Sequence, residues 1–403
     1  MSGRRDVRSA VGTELVLDIG PVAHGGHWVA RYEGRVVFVR HTLTGERVRA
    51  VVTDGHDGSA FWRADAVEVL TSSPARVQPP CPWSGPGRCG GCDFQHVSIE
   101  EQRRVKSAIV HEHLGRDVVV EAVPGDEGGL GWRTRVHYAV DEAGGAGLRR
   151  HRSHLVVPVD RCRIAHPVVQ SADVTGRRWP GVVSIEVAGA PVSGDRAVLV
   201  DGVAQPGSAV ALREVVGERT YQVAAGGFWQ VHPGAAGVLL GAVLDGLEPR
   251  PGDVALDLYG GVGLFAAALA DRVGPTGRVT LVESDRQAVA DARDNLAAWS
   301  TARIERGRVD HVLRRLHLGR ADVVVLDPPR AGAGRAVVDL LTRLRARRIV
   351  YVACDPASLG RDLRRFEEQG MAVVGLRAFD LFPMTSHVEC VAVLEPGRGG
   401  QVS

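Results

Sequence analysis

The spacing of apolar and polar residues predicts short β-strands in the first part of the chain. Glycines and polar turns separate four runs rich in β-branched and aromatic residues, at 14–19, 28–32, 35–40 and 46–52. Several short strands at this spacing are typical of a small closed β-barrel, and such barrels often bind single-stranded nucleic acid. We therefore expect residues 1–70 to form an OB-like barrel. Trp28 and Tyr32 suit either a nucleic-acid surface or its core.

The pattern of the second stretch, residues 71–225, is less regular. Five prolines between positions 74 and 86 predict a loop-rich linker, and residues 99–114 predict a helix. The sequence after the helix is β-rich with many glycines, so we expect a central β-rich domain whose topology the periodicity leaves open.

Strands and helices alternate in the third stretch, residues 226–403. Apolar runs at 254–259, 278–283, 322–326 and 349–353 predict strands, and helical patterns begin at 264 and 286. This alternation predicts an α/β fold, a doubly wound and mainly parallel Rossmann-like sheet. Ligands of such sheets bind at the carboxyl ends of the strands.

The composition adds only broad limits. The chain is 44% hydrophobic and 24% charged, which is ordinary for a globular protein, and its net charge of +2 favours no class of partner. No apolar run is long enough to span a membrane and the polar start lacks a signal-peptide core, so we expect a cytoplasmic protein. Its six cysteines are then thiols or metal ligands rather than disulfides.

A glycine turn joins the first strand of the third stretch to its helix, in Asp257-Leu258-Tyr259-Gly260-Gly261-Val262-Gly263. Glu283 ends the next strand, where a carboxylate can accept both hydroxyls of a ribose. No Gly-Lys-Ser/Thr follows the turn, so it is not a phosphate-binding P-loop. The glycine turn and Glu283 together favour S-adenosylmethionine over ATP as the cofactor. NAD remains an alternative.

Two further strand ends carry chemistry. Asp327-Pro328-Pro329-Arg330 stiffens a turn over the cofactor cleft, and the absence of an aromatic residue after it speaks against nitrogen as a methyl acceptor. Cys354 directly follows the apolar run 349–353. Asp355 and Pro356 come next and suit an N-cap and a first helical position. The helix dipole there favours a reactive thiolate. Glu389, at the start of a late apolar strand, is a candidate general base.

The remaining candidate site is a group of cysteines. Cys89-Gly90-Gly91-Cys92 has metal-ligand spacing, Cys81 precedes it and Cys162 follows much later. Four thiolates suit either zinc or an iron–sulfur cluster, and spacing alone does not separate the two.

Taken together these motifs resemble the S-adenosylmethionine-dependent RNA uracil-C5 methyltransferases, in their iron–sulfur branch with an N-terminal TRAM barrel. The resemblance covers nearly the whole chain. It rests on six segments in a fixed order: 227–233, 257–259, Glu283, 327–330, 354–356 and 387–389.

This resemblance implies a role for each candidate. Cys354 would be the nucleophile and Glu389 the base; the cofactor or flipped base would be lined by Gln230, Tyr259, Glu283 and Asp327. A [4Fe-4S] cluster, with zinc as the alternative, would be held by Cys81, Cys89, Cys92 and Cys162. The chain departs from the family at His232, where Asn is typical, and at Ala353, where Ser is common. The gap between Cys81 and Cys89 is also longer than usual.

The substrate that the resemblance implies is a uridine in looped or unfolded RNA. We expect ribosomal RNA of the large subunit ahead of transfer RNA, because the barrel and the cluster-bearing domain offer two extra RNA-contacting surfaces, and we expect a monomer. Candidate phosphate contacts are Arg133, Arg135, Arg149, Arg150 and Arg152. The alternatives are an RNA cytosine-C5 methyltransferase, in which the nucleophile follows the fourth strand rather than the fifth, and a non-catalytic RNA-binding protein.

Overall fold

The N-terminal strands form one curled sheet. A computed structural model describes residues 8–317 and 319–397. Its first six strands run in the order β1-β5-β6-β4-β3-β2, and β4 and β6 are the parallel pair. They are β1 Glu14–Asp18, β2 Val22–Ala23, β3 His27–Tyr32, β4 Arg35–Arg40, β5 Arg47–Asp54 and β6 Phe61–Thr71.

The two ends of this sheet meet around an apolar core. Just after β1, the Gly20 amide donates to the Val29 carbonyl (2.8 Å), and the Val29 amide donates to the Pro21 carbonyl (2.9 Å). Trp28 is fully buried, so of the two roles open to it the structure supports the core. The four predicted strand runs are confirmed.

Two elements of the central stretch pack against the C-terminal part of the chain. The predicted helix is found as α1, Ile99–Leu114, and it lies against the late helix α8, Pro356–Glu368. Strand β7, Val120–Glu121, pairs in parallel with the late strand β21, Met371–Phe379. A strand of two residues has no periodicity to detect, which is why the sequence pattern missed it.

The rest of the central stretch is antiparallel. One sheet has the order β10-β9-β8-β11-β12-β13, and β14 and β15 form a separate hairpin. The elements are β8 Arg135–Val140, β9 Ala146–Arg149, β10 Val156–Pro158, α2 Pro167–Gln170, β11 Ser184–Gly189, β12 Arg196–Val200, β13 Val203–Ala204, β14 Ala211–Val216 and β15 Arg219–Ala224.

The C-terminal part is an eight-stranded mixed sheet with helices on both faces. Its order is β18-β17-β16-β19-β20-β22-β21-β7, in which β22 runs antiparallel to its two neighbours. The remaining elements are α3 Ala235–Leu247, β16 Val254–Leu258, α4 Leu264–Val273, β17 Arg278–Glu283, α5 Arg286–Asn295, β18 Ala302–Arg306, α6 Val309–Leu316, β19 Val323–Leu326, α7 Arg335–Arg343, β20 Arg348–Ala353 and β22 Glu389–Pro396.

Both faces of this sheet are buried. Alternate residues of one strand belong to different apolar clusters: Val350 and Val352 of β20 pack on one side, and Ile349 and Tyr351 on the other. Burial on both faces explains the continuous apolar runs of the sequence. The predicted α/β class is confirmed by this arrangement, and none of the described helices is long and apolar enough to cross a bilayer.

Candidate active site

Strand register brings five of the six candidate residues to one edge of the C-terminal sheet. Leu258 pairs with Val282 and Leu326, Leu326 pairs with Tyr351, and Ala353 pairs with Cys390. The residues at these strand ends therefore lie side by side: Tyr259, Glu283, Asp327, Cys354 and Glu389. Gln230 instead lines a cavity of about 230 Å³ beside Trp229 and Glu214, and none of the other five candidates lines that cavity.

The glycine turn is held in a strained, close-packed conformation. Tyr259 has a φ of +59°, which is uncommon for a residue with a side chain. A Cβ on Gly260 would lie 2.6 Å from Cγ of Leu281, so only glycine fits there. The Glu283 carboxylate accepts the backbone N–H groups of Gly261 (3.0 Å) and Asp285 (2.8 Å). Glu283 thus holds the turn through its carboxylate.

Asp257 is a buried carboxyl at this turn that the sequence interpretation did not assign to the cofactor. Its Oδ2 accepts the Ala266 amide of helix α4 (2.8 Å), and its buried Oδ1 has no hydrogen-bond partner in the described chain. Burial, with the Asp327 and Glu283 carboxylates nearby, raises its pKa to about 7. The sequence signal that could have identified Asp257 was its position as the first residue of the glycine motif 257–263.

Two carboxyl groups share the cleft beside the cysteine. Glu389 is only 4% exposed, and burial, together with the nearby Asp327 carboxylate, raises its pKa well above the ordinary range. Burial also raises the pKa of Asp327. Two carboxylates this close do not both ionise readily, so the pair tends to keep a proton near neutral pH.

Cys354 lies where the local sequence signals put it, but its charge state differs from the expectation. Strand β20 ends at Ala353, Asp355 caps helix α8 by accepting the Ser358 amide (2.7 Å), and Pro356 begins the helix. The thiol is half-buried, and burial, with the Glu389 and Asp327 carboxylates, raises its pKa to about 11. This direction is opposite to the one expected from the helix dipole, because burial and the two carboxylates oppose the anion.

Helix α1 holds the loop that leads to Glu389. Lys106, the only lysine, is fully buried and donates from Nζ to Asp380 Oδ1 (2.5 Å) and the Phe382 carbonyl (3.0 Å). Gln102 of the same helix accepts the Met384 amide at Oε1 (2.8 Å). No motif of the sequence had indicated these contacts.

The N-terminal sheet also touches the site. The loop between β2 and β3 places His24 Nε2 3.4 Å from Asp355 Oδ2, next to the candidate nucleophile. A Cβ on Gly26 would lie 2.9 Å from the Asp93 Cβ and 3.1 Å from the Ser386 Cβ. Asp93 in turn accepts the Ser386 hydroxyl (3.1 Å). The N-terminal sheet, the linker that carries Asp93 and the loop that carries Ser386 are therefore in contact near Cys354.

Comparison with known proteins identifies the family. Residues 210–396 match the tRNA (uracil-5-)-methyltransferase family, and residues 8–64 match the TRAM domain. An uncharacterised RNA methyltransferase of Streptomyces coelicolor is 51% identical over 97% of this chain and 95% of its own. The chain belongs to the tRNA (uracil-5-)-methyltransferase family. Its enzyme class, RNA methyltransferase, is thereby confirmed, as is the TRAM domain.

Further comparisons agree with this methyltransferase assignment. A relative from Bifidobacterium longum, also described as an uncharacterised RNA methyltransferase, is 38% identical over 92% of this chain and 94% of its own. The solved structure of a Pyrococcus abyssi tRNA (uracil-54, C5)-methyltransferase, with S-adenosyl-L-homocysteine, matches 94% of this chain and 99% of its own. Its TM-score is 0.72 and its identity 22%, which shows a shared fold of S-adenosylmethionine-dependent methyltransferases.

The four candidate cysteines of the methyltransferase line one pocket. Cys81, Cys89, Cys92 and Cys162 surround it together with Arg133. Gly90 fits only because it lacks a side chain, since a Cβ there would lie 2.4 Å from the His151 amide nitrogen. Within residues 8–317 and 319–397, no three His, Cys, Asp or Glu side chains are placed to hold a single metal ion.

One predicted phosphate contact of the methyltransferase is wrong. Arg135 is buried and its Nη2 lies 3.2 Å from Oε1 of Glu214, an ion pair inside the central sheet region. Arg149, Arg150 and Arg152 are exposed, as a phosphate contact requires. Sequence alone did not separate them, because a lone Arg in a strand can face either way.

Proposed function

We propose that this enzyme uses S-adenosylmethionine to methylate C5 of uracil in RNA, with Cys354 as nucleophile and Glu389 as general base. The observation that carries the proposal is the pairing of Ala353 with Cys390, which sets Cys354 beside Glu389 at the ligand-binding edge of the methyltransferase sheet. A protein that only bound RNA would need neither a thiol nor a buried carboxyl there.

The chemistry follows from the weak nucleophilicity of uracil C5. Sulfur of Cys354 adds to C6, and the C5–C6 double-bond pair moves to C5 and O4 as an enolate. S-adenosylmethionine, when bound, would supply the methyl group from its sulfonium sulfur, with S-adenosylhomocysteine as the leaving group. After C5 is methylated, the Glu389 carboxylate takes the C5 proton, the C5–C6 double bond forms again, and the bond from C6 to sulfur breaks.

The proton balance of the free site has to change before this sequence can start. The raised pKa of Glu389 makes it a stronger base than an ordinary carboxylate once it has lost its proton. Cys354 starts as a neutral thiol, so it must lose a proton before it adds to C6. We propose that the thiol loses this proton to solvent only when ligands fill the cleft and a positive charge offsets the two carboxylates.

The residues of the cofactor cleft fit S-adenosylmethionine. We propose that Glu283, at the end of β17, accepts the ribose hydroxyls in addition to the Gly261 amide, and Gly260 and Tyr259 form the close turn beside it. The buried Asp257 Oδ1, which has no hydrogen-bond partner within the described residues, offers one more acceptor at the turn. None of these residues lines the cavity that Gln230 lines, so the assignment of Gln230 rests on the resemblance alone.

A [4Fe-4S] cluster is our proposal for the cysteine pocket, ahead of zinc. The Gly91 amide donates to Cys89 Sγ (3.4 Å) and Gln95 Nε2 donates to Cys92 Sγ (3.4 Å), the type of contact that stabilises cluster thiolates. The four thiols line a pocket without converging on a single point. A cluster, whose ligands bind separate irons, suits that spread better than one tetrahedral ion.

Two RNA classes are candidate substrates. Large-subunit rRNA is the first proposal, since the TRAM domain and the central region add RNA-contacting surface beyond the catalytic cleft. Transfer RNA is the second, and one observation favours it. The P. abyssi enzyme shares the fold over 94% of this chain, and by its description acts on uracil 54 of tRNA, so the added regions are compatible with either target.

The test is methylation of unmodified transcripts by the purified full chain. We expect 5-methyluridine, identified by nucleoside mass spectrometry, in large-subunit rRNA at a higher kcat/KM than in tRNA, and none in either with Cys354→Ala. Methylation confined to tRNA would reverse the choice of target, and methylcytosine in place of 5-methyluridine would reject uracil as the base.

A further inference from the structure

A basic cavity of about 380 Å³ lies between the TRAM sheet, the loop that carries Cys89, and the turn after β9. Its size is within the range of small-ligand sites. Five arginines line it, against the two carboxylates Asp54 and Asp65: Arg40, Arg63, Arg88, Arg150 and Arg152. The excess of positive charge indicates an anionic ligand.

The strongest sign of a ligand is Arg40, the last residue of β4. Its side chain is only 7% exposed, and its Nε and Nη2 have no hydrogen-bond partner in the described chain. The nearest carboxylate oxygen, Asp93 Oδ1, is 3.5 Å from Nη2. A guanidinium is always charged, and leaving its buried donors unpaired is costly. A bound acceptor would remove that cost.

Two neutral imidazole rings face the same cavity. Burial and the neighbouring Arg40 lower the pKa values of His27 and His151 to about 4, so both rings are uncharged at neutral pH. The Nε2 atom of each ring is also without a hydrogen-bond partner in the described chain. Uncharged rings among arginines suit a nucleobase attached to a phosphate better than a bare inorganic anion.

Two of the five arginines already bind protein groups, and the side chains of two others have no partner among the described residues. Arg63 is 2.8 Å from Asp54, and Arg88 donates to the Pro82 carbonyl. Arg150 and Arg152 are exposed, and neither side chain forms an ion pair or a side-chain hydrogen bond within residues 8–317 and 319–397. These two side chains are available to bind phosphate.

The cavity is joined to the candidate active site by a short stretch of chain. His27 lines the cavity, Gly26 packs against Asp93 and Ser386, and His24 reaches Asp355 beside Cys354. A single RNA strand whose target base enters the cleft near Cys354 therefore has a basic site close by for a neighbouring part of the same strand.

We propose that this cavity binds a second nucleotide of the RNA substrate, with its phosphate on Arg40, Arg150 and Arg152 and its base against His27 and His151. The proposal rests on the proposed function only in taking RNA as the substrate. A free nucleotide has the same chemistry, so the experiment has to separate the two sources.

The test measures RNA binding by the full chain without the cofactor, using fluorescein-labelled dodecauridylate and fluorescence anisotropy. We expect Arg150→Ala/Arg152→Ala to raise the Kd by about tenfold or more and to reduce the slope of log Kd against log salt by about 1.4, or roughly 0.7 for each lost contact to single-stranded RNA. The matched control, Arg293→Ala/Arg343→Ala, removes two exposed arginines of helices α5 and α7 and should change the Kd by less than about twofold.

A crosslink locates the bound nucleotide. Dodecauridylate with 4-thiouridine should crosslink to the peptides that carry His27 or His151. UMP at the same total phosphate concentration as unlabelled dodecauridylate should compete less than the dodecamer does. Equal effects of the two double variants, or crosslinks only elsewhere, would overturn the proposal. Equal competition by UMP would assign the cavity to a free nucleotide instead.

Binding in this experiment does not depend on methylation. If no 5-methyluridine forms on any RNA but the arginine variants still lose binding, the proposed function fails and the cavity stands. If 5-methyluridine forms normally and the variants bind RNA as tightly as the natural chain, the cavity proposal alone is rejected.

Discussion

At the scale of single residues, the site is a thiol and two carboxyl groups that suppress one another's ionisation. Cys354, Asp327 and Glu389 lie at the ends of three strands, and burial raises the pKa of each; nearby carboxylates raise the pKa values of Cys354 and Glu389 further. A resting thiol of this kind is protected from random alkylation and oxidation, since the thiolate is the reactive form.

The first prediction concerns alkylation of Cys354. In the protein without ligands the thiolate appears only as the pH rises through the raised pKa, so reaction with iodoacetamide should reach half its maximum rate near pH 11. Asp327→Asn should move that midpoint to lower pH, because one repelling charge is removed. The rate is followed on the Cys354 peptide by mass spectrometry. Asp322→Asn, at the other end of β19, should leave the midpoint unchanged, and a midpoint below pH 9 in the natural protein would contradict the account.

The second prediction concerns Glu389. Glu389→Gln keeps the size of the side chain but removes the base, so turnover should fall by about 10²–10⁴ while the methylated adduct on Cys354 accumulates. The adduct is measured by quenching in denaturant and mass spectrometry. Glu395→Gln in the same strand should retain turnover, because Glu395 pairs only with Arg348 away from the cleft. Normal turnover in Glu389→Gln would remove this residue from the mechanism.

At the scale of elements, helix α1 fixes the position of the loop 380–388 that precedes Glu389. Its buried Lys106 and Gln102 bind three positions between Asp380 and Met384, and the loop then leads straight into β22 and Glu389. The helix lies far away in sequence, so the candidate active site is assembled from the central stretch as well as from the methyltransferase sheet.

The third prediction tests that support. Lys106→Met leaves Asp380 buried and unpaired, so the free energy of unfolding in urea should fall by about 3–5 kcal/mol. The double variant Lys106→Met/Asp380→Leu should recover most of this loss, since neither charge is then buried. Arg104→Met, on the exposed face of the same helix, should cost less than about 1 kcal/mol. A loss for Lys106→Met as small as that of Arg104→Met would contradict the role given to Lys106.

Which elements the sequence could predict depends on how local their signals are. The end of β20 and the start of α8 were predictable because an apolar run, an N-cap and a proline are adjacent in the chain. The direction of the Cys354 pKa shift was not, because it depends on burial in the folded chain and on Glu389 and Asp327, which are distant in sequence. Strand β7 and the buried pairing of Arg135 also depend on distant partners, namely β21 and Glu214.

At the scale of the whole molecule, the cysteine pocket joins segments that are otherwise far apart. Cys81, Cys89 and Cys92 lie in the linker after the TRAM sheet, and Cys162 lies beyond β10 of the central sheet. A cluster bound there would tie the linker to the central region and, through Gly90 and Gly87, support one wall of the basic cavity.

The fourth prediction is the content of that pocket. Protein purified without oxygen should be brown and contain about four iron and four acid-labile sulfide per chain, as a [4Fe-4S] cluster on four cysteines requires. Cys92→Ser should lose the colour, whereas Cys390→Ser, outside the pocket, should keep it. Zinc without sulfide would decide for the alternative metal.

The most direct test of the central claim is covalent trapping on RNA that carries 5-fluorouridine. Fluorine at C5 cannot be removed as a proton is, so after methylation the RNA should stay bound to the enzyme as a complex that survives denaturation. We expect the methylated 5-fluorouridine on the Cys354 peptide, and no complex with Cys354→Ala. A complex that persists in Cys354→Ala, or one attached to another residue, would contradict the account.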